Sequence, residues 1–224
     1  MSISNNLTQI KSQIPPHVTL VAVSKTKPVA DLMEAYDAGQ RIFGENYVQE
    51  LVEKHEQMPK DIQWHFIGHL QSRKVKLIAP FVSLIHGVDS LKLLQEINKQ
   101  AAKNNRVIVC LLQIHIAEEE SKFGLDEQEL DEILKQVQND NENYKNIRIV
   151  GLMGMATFTE NQNQIEKEFQ NLKSIFDKVS QLSTENCQLN TLSMGMSGDY
   201  QLAISCGSTM VRIGSSIFGT RNYQ

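Results

Sequence analysis

The sequence has few cysteines, no long apolar run and no excess of basic residues. Cys110, Cys187 and Cys206 include no C-x-x-C pair, which argues against a disulfide framework or a zinc ribbon and favours a reducing compartment. The longest apolar run, Val107 to Leu112, is far shorter than the roughly 20 residues that span a bilayer. The polar segment from Met1 to Gln13 lacks the apolar core of a secretion signal. We therefore expect a cytoplasmic protein with no membrane partner.

The charge balance is close to neutral. The chain has 22 lysines and arginines against 26 aspartates and glutamates, a formal net charge of −4. This leaves no basic excess to neutralise a phosphate backbone, so we expect no nucleic-acid partner. Apolar residues make up 41% of the 224 residues, which is ordinary for soluble globular proteins and excludes disordered and collagen-like chains. The length fits one large α/β domain, and we predict a single domain over residues 1–224.

Short apolar or β-branched runs alternate along the chain with segments in which apolar residues recur at helical spacing. The predicted strands are Val18–Val23, Arg41–Gly44, Gln63–Ile67, Leu84–Val88, Val107–Ile116, Ile147–Met153, Thr191–Met194 and Thr209–Ile213. The predicted helices are Asn5–Gln13, ahead of the first strand, and Pro28–Ala38, Leu91–Lys103, Asp126–Gln138 and Asn163–Leu182. Strict alternation predicts a parallel sheet, and eight βα units close a (β/α)8 barrel of the TIM type. An open doubly wound sheet is the alternative, although Ser24-Lys-Thr-Lys27 stands where that fold would have a glycine-rich turn.

Two lysines, Lys25 and Lys27, follow the first predicted strand. Active groups of parallel barrels lie at the carboxyl ends of strands, where an apolar wall desolvates an amine and makes it nucleophilic. Such an amine can form a Schiff base with an aldehyde. Strand alternation places both lysines on the same side, so only its greater depth favours Lys25. A lysine that simply leads the strand into solvent is the alternative.

Two segments rich in glycine and serine follow the seventh and eighth strands. They are Ser193-Met-Gly-Met-Ser-Gly198 and Arg212-Ile-Gly-Ser-Ser216. Loops at these positions commonly bind a phosphate in TIM barrels, because small residues let backbone N–H groups approach the oxygens while hydroxyls donate to them. Two ordinary turns with serine caps are the alternative. Opposite a nucleophilic lysine, the two loops predict a site for a phosphorylated aldehyde.

The histidines do not predict a metal site. His65 and His69 have H-x₃-H spacing, but Gly68 and the end of a strand separate them, and no cluster of Cys, His and acidic residues supports ligation. The remaining histidines are scattered and are interpreted as structural or exposed side chains: His17, His55, His86 and His115.

Five blocks of the sequence resemble the pyridoxal phosphate homeostasis protein family. They are Ala22-Val-Ser-Lys-Thr-Lys-Pro28, Phe43-Gly-Glu-Asn-Tyr-Val-Gln-Glu50, Trp64-His-Phe-Ile-Gly-His-Leu-Gln71, Leu192-Ser-Met-Gly-Met-Ser197, and Gly207-Ser-Thr-Met-Val-Arg-Ile-Gly214 followed by Ile217-Phe-Gly219. The resemblance runs in order from Val21 to Tyr223. It implies a single barrel like the N-terminal domain of alanine racemase, in agreement with the strand count. One departure is Arg73, which stands where the family has an asparagine; we expect it to alter a surface or cap contact and to leave the ligand site unchanged.

The resemblance also implies the ligand, pyridoxal 5′-phosphate (PLP), and the residues that bind it. Lys25 would be the Schiff-base lysine, and Arg212 would lie beside the ring and the phosphate. An arginine near the ring nitrogen would leave that nitrogen unprotonated and the ring a poor electron sink. Lys122 matches a second recurrent lysine of the family that could assist ligand exchange. The remaining implied site residues are Asn46, His65, Ser193, Ser197, Gly214 and Ser215.

Three functions fit these residues to different extents. The resemblance implies a PLP carrier that buffers or delivers the molecule without turnover, with PLP-dependent apo-enzymes as partners, and we expect it to be a monomer. A PLP-dependent racemase is the first alternative. Racemases of this fold carry a second, all-β domain, whereas the sequence given ends at Gln224, just past the eighth unit. A class I aldolase acting on a sugar phosphate fits the lysine and the phosphate loops but not the five blocks.

Overall fold

Eight parallel strands close into a barrel in the computed structural model, which describes residues 2–118, 123–181, 183–184 and 186–220. The strands are β1 Thr19–Val23, β2 Ile42–Glu45, β3 Gln63–Phe66, β4 Leu84–Val88, β5 Ile108–Gln113, β6 Ile147–Met153, β8 Cys187–Ser193 and β9 Met210–Ile213. A short ninth strand, β7 Ser183–Thr184, pairs antiparallel with β8. β9 pairs with β1, as in Leu20 opposite Val211, so the sheet has no open edge between its first and last strands. The predicted barrel is confirmed, and the open-sheet alternative is wrong.

Helices lie on the outside of the barrel, before, between and after the strands. They are α1 Ile3–Gln13, α2 Val29–Asp37, α3 Val48–Gln57, α4 Val75–Ile78, α5 Leu91–Lys103, α6 Glu127–Asn139, α7 Gln162–Val179, α8 Tyr200–Ser205 and α9 Ser215–Phe218, with a 3₁₀ turn at Ser72–Lys74. Local capping explains where two of these helices begin. The Ser90 hydroxyl accepts from the Leu93 N–H at the start of α5, and Asp126 forms a capping box with Glu129 at the start of α6. Arg73 lies exposed in the 3₁₀ turn and donates to the Gln71 side chain.

Some elements differ from the sequence prediction. The pattern did not predict α3, because one of the three positions that this helix buries is a lysine, Lys54, rather than an apolar residue. β8 begins at Cys187 instead of Thr191, since Cys187 and Leu189 are buried while the intervening Gln188 is exposed. This alternation marks a strand with one face on the core.

The strands separate two apolar clusters. Leu20 and Ala22 of β1 belong to the large cluster that fills the space between barrel and helices. The intervening Val21 lies on the opposite face of β1 and belongs to a small second cluster, together with Leu84, Leu111, Met153 and Met210. Such a layer closes the barrel interior, so the barrel is a packed core and not a pore.

Within the described residues, no helix is both long and apolar enough to cross a membrane. The longest, α7, is amphipathic and buries one stripe against the barrel, including Ile165, Phe169 and Leu172.

Candidate functional site

A cavity of about 470 Å³ opens at the carboxyl ends of the parallel strands. Its volume lies in the range typical of small-molecule sites. The wall comes from segments that follow five strands, β1, β2, β6, β8 and β9, together with Ile67 beyond β3. The candidate residues on the wall are Lys25, Asn46, Ser197, Arg212, Gly214 and Ser215. The barrel therefore brings six of the sequence candidates to one cavity.

Lys25 lies on the cavity wall, and Lys27 turns away from it. β1 ends at Val23, and a turn follows in which the Lys27 N–H donates to the Ser24 carbonyl over 3.1 Å. Thr26, between the two lysines, has a φ of +63°, in the left-handed region. Lys27 Nζ donates to the Phe218 carbonyl at the end of α9 over 2.7 Å. Strand alternation stops at Val23, so the expectation that both lysines point the same way is wrong.

The loops after β8 and β9 are joined to each other. The Gly214 N–H donates to the Ser197 hydroxyl over 3.1 Å, and the Arg212 N–H donates to the Gly195 carbonyl over 3.0 Å. Gly195 has a φ of +96°, and a Cβ there would lie 2.6 Å from the Ala203 Cβ, so only glycine fits this turn. The junction places one half-buried hydroxyl, that of Ser197, and one exposed hydroxyl, that of Ser215, on the same wall.

Arg212 brings a buried positive charge to the cavity wall. Its side chain leaves β9 and donates from Nη1 to the Ser193 carbonyl (2.9 Å) and hydroxyl (2.6 Å), and from Nη2 to the Gly154 carbonyl (3.0 Å). Burial lowers the pKa of the guanidinium to about 10, against the opposing effect of Asp199, so Arg212 is charged at neutral pH. Three backbone or hydroxyl acceptors thus fix the orientation of this cation.

A chain of hydrogen bonds continues from Arg212 into the barrel. The Ser193 hydroxyl lies 3.2 Å from His86 Nδ1, and His86 Nε2 lies 3.1 Å from His65 Nδ1. Burial lowers the pKa of His65 to about 3 and that of His86 well below its usual range, so both rings are neutral. The Ser193 hydroxyl accepts from Arg212 and has its own proton available for His86 Nδ1; in that tautomer His86 Nε2–H donates to His65.

The site candidates His65 and Ser193 therefore lie behind Arg212, buried in the barrel, rather than on the cavity wall. Sequence analysis missed His86. The sequence did contain an indication of its role. His86 lies two residues after Leu84 in an otherwise apolar strand, and alternate residues of that strand face the barrel interior.

Asn46, the residue directly after β2, lines the cavity. Its backbone packs against Gly68, where a Cβ would lie 2.3 Å from the Asn46 carbonyl oxygen. Among the described residues, the buried Asn46 Oδ1 has no hydrogen-bond partner. The close backbone contact explains why glycine follows the third strand here.

The segment after β6 forms a part of the wall that the sequence analysis did not identify. Ala156, Thr157 and Phe158 line the cavity, and the Phe158 side chain is 95% exposed at its mouth. Glu168 of α7 holds the segment, accepting from the Thr157 N–H over 2.6 Å and from its hydroxyl over 2.7 Å. The predicted second lysine, Lys122, lies outside the described residues.

The H-x₃-H pair separates in space. His65 is in the barrel interior, whereas His69 Nδ1 lies 3.0 Å from an Asp89 carboxylate oxygen and its ring stacks on Phe123. Within the described ranges, no group of three or more His, Cys, Asp or Glu side chains could hold a metal ion.

Comparisons with known proteins identify the family. A family model described as the alanine racemase N-terminal domain matches residues 1–222. The pyridoxal phosphate homeostasis protein of Haemophilus influenzae is 41% identical over 100% of this chain and 98% of its own length. That of Escherichia coli K12 is 38% identical over 99% of this chain and 97% of its own length.

Solved structures give the same result. The structure of PipY from Synechococcus elongatus with PLP bound matches with a TM-score of 0.88 at 34% identity, covering 97% of this chain and 100% of that one. Alanine racemase from E. faecalis matches with a TM-score of 0.74 at 15% identity, covering 97% of this chain and 57% of that one, which shows the fold alone. The chain belongs to the alanine racemase N-terminal domain family and, within it, to the pyridoxal phosphate homeostasis proteins.

Proposed function

We propose that this protein binds pyridoxal 5′-phosphate reversibly through a Schiff base on Lys25 and buffers or delivers it in the cell. The observation that carries the proposal is the position of Lys25 on the same cavity wall as Ser197, Gly214, Ser215 and the Arg212 cation. This donor set fits the ligand: an amine for the aldehyde, hydroxyls and a cation for the phosphate. The relatives named for PLP homeostasis, and the PLP-bound PipY structure, support the assignment.

Different residues of the cavity bind different parts of the ligand. Lys25 Nζ attacks the aldehyde carbon and forms a C=N bond with loss of one water, which makes attachment reversible by hydrolysis. Ser197 and Ser215 donate hydrogen bonds to phosphate oxygens at the junction of the two loops. Asn46 lines the same cavity as Lys25, and His65 and Ser193 act from behind the wall by fixing Arg212.

We propose a carrier and not an enzyme. PLP supplies electron-sink chemistry when its ring nitrogen is protonated, usually by a carboxylate partner. Here the fixed cation of Arg212 stands at the wall and would oppose that proton. His65 and His86 are neutral and buried behind it, and neither lies on the cavity wall.

The setting of this activity is also part of the proposal. We propose a monomeric cytoplasmic protein that passes PLP to PLP-dependent apo-enzymes, with Lys122 assisting exchange. The cysteines support a reducing compartment, since Cys110, Cys187 and Cys206 all lie free in the fold.

Absorption spectroscopy with borohydride trapping tests the proposal. Purified protein, with PLP added, is expected to show a Schiff-base band that borohydride removes, with the label on Lys25 after peptide mapping. The Lys25→Ala variant is expected to lose the band, whereas Lys60→Ala, at an exposed lysine, retains it. Trapping on Lys27 or Lys122 in the wild type would contradict the assignment of Lys25. No band in the wild type would overturn PLP binding and favour the aldolase alternative.

A second assay tests the absence of turnover. Alanine or serine epimerisation by the PLP-loaded protein is expected at no more than the rate of free PLP. Epimerisation well above that rate, lost in Lys25→Ala, would replace the carrier with a racemase.

A further inference from the structure

A largely buried cluster of three ionisable side chains lies beneath the turn that carries Lys25. Lys54 Nζ of α3 lies 2.7 Å from Glu45 Oε1 at the end of β2 and 2.7 Å from Glu50 Oε1 of α3. The Lys54 side chain is 6% exposed and that of Glu45 is completely buried. We call Glu45, Glu50 and Lys54 the Lys54 cluster. Burying a lysine in an amphipathic helix is costly unless its donors are satisfied, so this arrangement needs an explanation.

The Lys54 cluster contacts the backbone on both sides of Lys25. On one side, Lys54 Nζ donates to the Ser24 carbonyl over 2.7 Å, and the Ser24 hydroxyl donates to Glu45 Oε1 over 2.6 Å. On the other side, the Thr26 N–H donates to Glu50 Oε1 over 2.6 Å. The residues before and after Lys25 are thereby hydrogen-bonded to the Lys54 amine and to the two carboxyl groups that contact it.

The turn needs this restraint because Thr26 has a φ of +63°. A β-branched residue rarely adopts the left-handed region, and it stays there only where its surroundings fix it. The same conformation separates Lys25, on the cavity wall, from Lys27, which bonds to the end of α9. If Thr26 returned to an extended conformation, the direction of Lys25 would change.

We propose that Glu45, Glu50 and Lys54 are positioning residues that hold the 24–26 turn so that the Lys25 amine points into the cavity. The inference rests on the proposed function, and it concerns the rate of covalent attachment to Lys25 rather than noncovalent binding. Ser197 lies after β8 and Ser215 at the start of α9, and among the described residues no hydrogen bond or ion pair joins either serine to the cluster. We therefore expect changes in the cluster to affect attachment of the aldehyde separately from binding of the phosphate.

Two measurements on the full-length protein separate these steps. Rapid mixing with PLP gives the rate constant of Schiff-base formation. Titration with pyridoxine 5′-phosphate, which has an alcohol in place of the aldehyde, gives noncovalent affinity. For Lys54→Met and for Glu50→Ala we expect the rate constant to fall about tenfold or more, because small misplacements of a reacting group have effects of this size. Affinity for pyridoxine 5′-phosphate is expected to stay within about threefold of the wild type.

Matched controls and a rescue sharpen the test. Glu53→Ala changes an exposed glutamate of the same helix, and it is expected to react at the wild-type rate. Thr26→Gly in the Glu50→Ala background is expected to recover most of the lost rate, because glycine adopts a positive φ without strain. This pair keeps the test decisive even if Lys54→Met does not fold.

Each result decides a different question. Wild-type rates in Lys54→Met and Glu50→Ala would overturn the positioning role and leave the proposed function intact. An equal fall in the rate constant and in affinity for pyridoxine 5′-phosphate, unrelieved by Thr26→Gly, would also overturn it, because that is the signature of a merely structural cluster. Failure of the wild type to form a Schiff base on Lys25 would instead overturn the proposed function.

Discussion

Arg212 donates to both the carbonyl and the hydroxyl of Ser193, over 2.9 and 2.6 Å. These two bonds tie β9 to β8 beneath the cavity and hold the guanidinium against the wall. Ser193 in turn is the only link between this cation and the two buried histidines among the hydrogen bonds of the described residues. The orientation of the charge at the site is therefore set from inside the barrel.

Replacing Ser193 by alanine is expected to weaken both the fold and the site. The change leaves His86 Nδ1 without its donor and removes one acceptor of Arg212, which should lower the free energy of unfolding by about 1–3 kcal/mol. Affinity for pyridoxine 5′-phosphate should fall because the cation loses a restraint. Urea unfolding and titration calorimetry measure the two effects. Ser205→Ala, at an exposed serine, is the control, and equal behaviour of the two variants would contradict the role given to Ser193.

The buried His65 should make the protein sensitive to acid. Its pKa in the folded protein is about 3, below the unfolded value of about 6.5, so the unfolded state binds more protons between these values. The contribution of neutral His65 to the free energy of unfolding is complete above the unfolded pKa and is lost as pH falls towards 3. At pH 5 the loss is about 2 kcal/mol.

His65→Asn preserves an acceptor for His86 and removes this titration. Its stability should change less than that of the wild type between pH 6.5 and pH 4, as measured by urea unfolding. His17→Asn, at an exposed histidine, should retain the wild-type profile. Identical slopes for wild type and His65→Asn would show that His65 is not held neutral by burial.

Glu45 should give the opposite pH dependence. Burial raises its pKa to about 7, although Lys54 and the Ser24 hydroxyl act to lower it. The pKa of Glu45 is higher in the folded protein than in the unfolded chain, so its contribution to the free energy of unfolding is complete below about pH 4.5. This contribution is lost as pH rises through 7, by up to about 3 kcal/mol.

Glu45→Gln should therefore reduce the decline of unfolding free energy between pH 5 and pH 8. The same urea titrations measure this, with Glu53→Gln as the control on the exposed side of α3. A wild-type slope in Glu45→Gln would mean that the carboxylate keeps an ordinary pKa within its pair with Lys54.

Glu168 should control the wall formed by residues 155–159. Burial acts to raise its pKa, but hydrogen bonds from Thr157 and Gln164 outweigh this and lower the pKa, so the group is a charged acceptor at neutral pH. In Glu168→Ala the Thr157 N–H loses its acceptor, and PLP affinity should fall about tenfold, the equivalent of one charge-assisted hydrogen bond. Equilibrium dialysis measures the PLP affinity, and Glu166→Ala, two residues earlier in α7, should bind PLP normally.

The regular features of the fold could be predicted from sequence because they depend on local pattern. Alternating apolar runs and helical stripes predicted the eight parallel strands, and closure followed from their number. Six site candidates do lie on one cavity wall, since residues that follow parallel strands meet at the same edge whatever their separation along the chain.

Other features depended on contacts that no local pattern encodes. The prediction treated His86 as an isolated histidine because its partners, His65 and Ser193, come from two other strands. Helix α3 was hidden because Lys54 occupies a buried position, and that position is stable only where Glu45 and Ser24 supply acceptors.

The two lysines after β1 illustrate the difference between what the sequence determines and what the tertiary structure determines. The sequence by itself determined the barrel, a lysine at the end of its first strand and two small-residue loops at the end of its last strands. Only the tertiary structure decided which way each of these lysines points, because that depends on the left-handed Thr26 and on Glu50 of α3, which accepts the Thr26 N–H. A strand's alternation is local and ends with the strand, whereas the direction of the next side chain is set by whichever distant groups bind the turn.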